Sequence, residues 1–123
     1  MAEQTRTESE KLAGIAIKAL EDHKAVDVRV IDISGVSVIA DYFIIANGTS
    51  QHQNQALCDA VEEAMGQTGH PAKQIEGYGT AKWILLDFGE IIVHVFDAED
   101  RMLYDLEKIW RDGKAVDPET LQG

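Results

Sequence analysis

The chain is short of several things at once, and each shortage excludes something. It holds a single cysteine, Cys58, in 123 residues. No internal disulfide can form, which fits a reducing compartment. No apolar run approaches the length of a membrane span. The opening "MAEQTRTESEK" is polar and partly acidic, the wrong composition for an export signal. Basic residues are outnumbered, 11 against 22 acids, for a net charge of −11. Nucleic-acid backbones would repel such a chain. The four histidines, His23, His52, His70 and His94, have no metal-like spacing to one another. The expectation is a cytoplasmic protein with no membrane segment, no metal and no cofactor.

What is present is ordinary globular composition, 45% hydrophobic and 27% charged. A chain of this length forms one domain and buries roughly two thirds of its unfolded surface, so it needs no disulfide or metal to fold. Its acidity serves solubility, and it would equally draw in a basic partner.

Residues 1–6 read as a disordered lead-in. Thr7 and Glu10 have capping-box spacing, and Leu12, Ile15, Ala16, Ala19 and Leu20 follow helical periodicity, giving a helix from about Glu8 to His23. Alternation in "VDVRVIDIS" gives a strand with Val26, Val28 and Val30 facing a core. "DYFIIANG" is a continuous apolar strand, buried on both faces. Ser50 and Gln53 open a second helix, which ends near Gly66 and Gly69. A short strand near Lys73–Glu76 precedes "AKWILLDFGEIIVHVFD", two strands around a tight turn. A last helix runs through "EDRMLYDLEKIW", and 113–123 reads as a flexible tail. The order α-β-β-α-β-β-β-α predicts a single α/β domain over 7–112, a mixed sheet of about five strands flanked by helices.

The two strands of the hairpin carry the functional question. With Phe88-Gly89 as a two-residue turn, Asp87 opposes Glu90, Leu85 opposes Ile92 and Trp83 opposes His94, all on one face. The other face, with Ile84, Leu86, Ile91, Val93 and Val95, is uniformly aliphatic and therefore core. An apolar centre with an acidic rim suits docking of a basic partner. A helix that covers the apolar part and leaves only the acids in water would suit the same pattern. His94, in a strand, reads as a hydrogen-bonded sheet histidine more readily than as a catalyst, and Cys58 as a buried thiol.

"IIANGTSQ" runs from a strand into a helix start, where amide groups can bind phosphate. Nucleotidyltransferases use a similar turn, with a D-x-D carboxylate pair holding magnesium. Neither Asp27 with Arg29 nor Asp32 between isoleucines supplies that pair, and Asp87 and Glu90 face each other only across a turn. The turn therefore reads as a helix cap in a protein that is not an enzyme.

"DYFIIANGTSQHQ", "IEGYGTAKWILLDFGEIIVHVF" and "RMLYDLEKIW" together closely resemble the ribosomal silencing factor family (RsfS, or Iojap), over about residues 8–112. The resemblance implies a nucleotidyltransferase-like fold without the catalytic acids. It implies binding to the large ribosomal subunit through its ribosomal protein fourteen. That binding would block joining of the small subunit and so repress translation. Organellar relatives assist large-subunit assembly, which is the alternative role; a residual nucleotidyltransferase is a weaker one. Members often form dimers, so a homodimer is also expected. The positions that match the family's motifs place partner contacts at Trp83, Asp87, Glu90 and His94, with Asp41, Tyr42, Arg101, Tyr104 and Glu107 nearby. Where the family commonly has an arginine after the Ser50 turn, this chain has His52, so any contact made by that arginine is weaker or pH-dependent here.

Overall fold

A computed structural model of the chain describes residues 7–35, 38, 40–97 and 113–122. Helix α1 spans Glu8–Asp22. Its N-terminus is a full capping box: the Thr7 hydroxyl accepts from the Glu10 amide, and the Glu10 carboxylate accepts from the Thr7 amide. Helix α2 spans Gln51–Gln67, with Ser50 as its N-cap. It ends at Gly69, whose φ of 86° lets His70 N–H bond back to the Met65 carbonyl and Gly69 N–H to that of Gly66. The strands are β1 (Val26–Asp32), β2 (Tyr42–Gly48), β3 (Gln74–Glu76), β4 (Trp83–Asp87), β5 (Ile91–Asp97) and β6 (Lys114–Val116), and a short helix α3 covers Pro118–Gln122.

The strands form one sheet in the order β3-β4-β5-β2-β1-β6. Among the described residues only β2 and β5 pair in parallel, Tyr42 beside Ile91 through Gly48 beside Asp97. The other four pairings are antiparallel. The mixed α/β architecture is the expected one, with six strands where about five were expected. The sixth comes from the segment expected to be a flexible tail: β6 pairs with β1, Val30 beside Val116, and Leu121 of α3 is buried in the core with α1. The expected lead-in 1–6 and the helix expected after Asp97 lie outside the described residues.

Two apolar clusters lie on the two faces of the sheet. The larger joins Leu12, Ile17 and Leu20 of α1 and Leu57, Val61 and Met65 of α2 to Ile44, Ile84, Leu86, Val93 and Val95 of the sheet. Burying each such side chain contributes about 1.5–3 kcal/mol. Asn54, fully buried, pins α2 to the sheet: its amide oxygen accepts from Gly48 N–H, and its amide nitrogen donates to the Ala81 carbonyl. β1 departs from its expected alternation. Its register slips between Val26 and Arg29, where Asp27 takes a φ of 54°, so Val26 is exposed while Val30 and Ile31 are buried on opposite faces. The second cluster is the aromatic face described below.

Candidate functional site: the aromatic face of the sheet

The second face gathers Ile31, Ile33, Ala40, Ile45, Ile92 and Phe96 as buried residues, with Phe43, Trp83 and Leu85 half-buried against them. It is built by alternation. In β4 the side chains of Trp83, Leu85 and Asp87 are half-buried, while Ile84 and Leu86 between them are buried in the larger core. This is the expected division of the hairpin into two faces.

The register is not the expected one. Asp87 pairs with Ile92, Leu85 with His94, and Trp83 with Phe96. The two-residue turn is Gly89-Glu90, one position later than expected, closed by a bond from Phe88 N–H to the Ile91 carbonyl. A slip of two residues keeps every side chain on its face, because the side-chain period is two. It removes the expected clash of Asp87 against Glu90. Glu90 instead stands exposed in the turn. Asp87 accepts from Gly89 N–H at 2.8 Å, and Gly89 holds the φ of 93° that the turn requires.

Trp83 and His94 are diagonal neighbours across the strand pair, and they are bonded. The indole N–H donates to His94 Nδ1 at 3.0 Å. Phe96 stacks beside the indole, ring centroids 5.1 Å apart at 25°, and Phe43 meets the imidazole edge-on at 4.8 Å. His94 is only 4% exposed, so it lies beneath the surface rather than on it. Burial pushes its pKa down to about 4, so the ring is neutral at physiological pH.

The remaining sequence-selected positions separate. Asp41 sits at the turn end of the hairpin: its amide bonds to the Glu90 carbonyl, and its carboxylate accepts from the Ser9 hydroxyl near the start of α1. With Val38, Lys73 and Glu90 it lines a shallow groove of about 300 Å³. Tyr42 is buried in the larger core, on the opposite side of the sheet from Trp83. Its neighbour Phe43 is the residue on the aromatic face, and sequence reasoning passes over it. Alternation along β2 is the available signal, since Phe43 and Ile45 share one parity. Arg101, Tyr104 and Glu107 lie outside the described residues. His52 is exposed on the first turn of α2.

The turn before α2 serves as the expected cap. Ser50 Oγ accepts from Gln53 N–H, while Gln53 Oε1 takes both the Thr49 amide and hydroxyl. With Gly48 N–H held by Asn54, the protein's own side chains take the amides of Gly48, Thr49 and Gln53 at this turn. Cys58 is buried, and burial followed by Asp59 and Glu62 pushes its thiol up to about 12, so it is not a nucleophile at neutral pH. Among the described residues no group of three or more His, Cys, Asp or Glu is placed to hold a metal, and no helix is long and apolar enough to cross a membrane.

Residues 6–123 match the model of the family described as ribosomal silencing factor during starvation. The chain belongs to the ribosomal silencing factor family. It is 38% identical over 111 residues to ribosomal silencing factor RsfS of Halalkalibacterium halodurans, covering 90% of this chain and 95% of that one. A crystal structure of a Chromobacterium violaceum protein superposes with a TM-score of 0.82 at 32% identity, covering 85% of this chain and 88% of that chain. A more distant relative, the mouse protein named mitochondrial assembly of ribosomal large subunit protein 1, is 30% identical over 97 residues, which are 76% of this chain and 42% of that protein. The family match reaches through β6 and α3, the segment expected to be a tail.

Proposed function

We propose that this protein is a translation repressor of the cytoplasm that docks on the large ribosomal subunit through its aromatic sheet face. The contact is with the subunit's ribosomal protein fourteen, and the bulk of the docked domain blocks joining of the small subunit. The observation that carries the reading is membership of the ribosomal silencing factor family across nearly the whole chain. Two features support the choice of face. Trp83 is a large aromatic held half-buried at the surface by a hydrogen bond and a stacked ring, the character of an interface anchor. The chain carries −11, and proteins that sit on ribosomal RNA are basic, so Asp87 and Glu90 at the rim steer rather than repel. The role is steric and needs no catalysis. A homodimer is compatible with it.

The alternative is a large-subunit assembly factor, favoured by the name of the mouse relative. One experiment separates the two. The protein is sedimented with purified large subunits, and small subunits are then added. Co-migration with loss of the joined particle supports silencing. Co-migration with joining intact supports assembly. No co-migration refutes both.

A further inference from the structure

We propose that His94 is a positioning residue: by accepting the indole N–H it sets the orientation in which Trp83 is presented to a docking partner, and it is kept for that purpose rather than for stability. The inference rests on the reading of the aromatic face as the docking surface.

The chemistry begins with the tautomer. A neutral imidazole has one donor and one acceptor nitrogen. Nδ1 accepts from Trp83 at 3.0 Å, so the proton sits on Nε2. That nitrogen is fully buried and finds no hydrogen-bond partner among the described residues. A buried donor without an acceptor is a net cost to folding, and a native protein that retains one calls for an explanation. Phenylalanine would fill the same place among Phe43, Ile45 and Phe96 without that cost. Histidine adds one thing phenylalanine cannot, an acceptor aimed at the indole.

An acceptor matters at this point because a hydrogen bond is directional. Phe96 stacks at 25° to the indole, a contact that either edge of the indole could make. The bond to Nδ1 fixes which edge of Trp83 points inward, and therefore which edge faces the partner. Fixing it beforehand removes an ordering cost from association. His94 itself, buried beneath Trp83, has no surface to offer a partner. Its influence on docking runs through the indole.

The test is a double-mutant cycle on binding to purified large ribosomal subunits, read by sedimentation. His94→Phe is expected to weaken binding about 5–10-fold in the wild-type background and to leave it unchanged in the Trp83→Phe background, where no indole N–H remains. His94→Gln, whose amide oxygen can take the N–H, is expected to recover part of the loss. The melting temperature of His94→Phe is expected to match or exceed that of wild type. In ¹⁵N-labelled protein the indole N–H resonance of Trp83, assigned by its loss in Trp83→Phe, shifts in His94→Phe. Equal affinity of wild type and His94→Phe overturns the proposal. So does an equal loss in the Trp83→Phe background, which would mark a general packing role. If His94→Phe does not fold, the stability claim is wrong and the Gln variant carries the binding arm. Failure of wild type to bind large subunits removes the docking reading itself, and the indole resonance then reports the clamp alone.

Discussion

The two faces of the sheet are built from the same strands by the same alternation, yet they differ in kind. The helix-covered face is aliphatic: Ile84, Leu86, Val93 and Val95 are fully buried under α1 and α2. The other face is aromatic and unevenly buried. Phe96 is enclosed, Trp83, Phe43 and Leu85 are half-buried, and a histidine sits among them. An aliphatic face needs only volume and shape, and any well-packed set of branched side chains supplies them. A hydrogen-bonded Trp–His pair with one phenylalanine stacked and another edge-on is a more demanding arrangement, and it includes a donor with no partner among the described residues. The contrast teaches that one face asks only for volume and shape, while the other fixes an indole by a directed bond, as the proposed docking role requires.

The sharpest way to break this contrast is to cut each face in turn. Leu86→Ala opens a cavity in the helix-covered core and is expected to cost about 3 kcal/mol of stability in urea unfolding. The fraction that remains folded should bind large subunits as wild type does. A loss of affinity in that folded fraction would mean that the two faces are not separate in function.

Acid should act on the aromatic face through His94. Its folded pKa, about 4, lies below the unfolded value of 6.5. Between those values the unfolded chain binds the proton that the folded chain refuses. Stability is therefore level above pH 6.5 and falls as pH drops towards 4, by up to about 3 kcal/mol from this group. Unfolding curves at a series of pH values should show the fall in wild type and a smaller one in His94→Phe. Parallel curves would contradict the burial of a neutral imidazole.

Trp83→Ala is expected to cost at least about 2 kcal/mol of binding free energy and distinctly less in stability, the reverse of Leu86→Ala. The smallest effect belongs to the rim. Asp87→Asn removes a charge while leaving an oxygen to accept from Gly89 N–H. It should lower the association rate a few-fold and flatten its salt dependence, with an affinity change of about 1 kcal/mol or less. A salt-independent rate in wild type would remove the steering role from the acids.

Much of this division is legible in the residues themselves. The capping box of Thr7 and Glu10, the burial of β2 on both sides and the split of the hairpin into two faces follow from local spacing, and local spacing is visible in one chain. The hairpin register differs from expectation by two because the two-residue turn is Gly89-Glu90 rather than Phe88-Gly89, closed by the bond between Phe88 and Ile91, and spacing does not reveal which pair turns. The motif D-Y-F, carried over as a block, points to Tyr42, although alternation puts Tyr42 and Phe43 on opposite sides. β6 escapes sequence reasoning because three residues, Lys114–Val116, carry no periodic signal and become a strand only by pairing with the distant β1. His94 is the hydrogen-bonded strand histidine that the sequence suggests. Its depth and its partner depend on Trp83 and Phe43 arriving from two other strands.

The central claim is that the aromatic face, and not merely a folded domain, prevents subunit joining. The most direct measurement mixes large and small subunits with wild type, Trp83→Ala or Leu86→Ala at matched folded concentration and reads the joined particle by sedimentation. The account predicts that wild type and Leu86→Ala abolish joining while Trp83→Ala leaves it intact. Joining blocked equally by Trp83→Ala and wild type would contradict it.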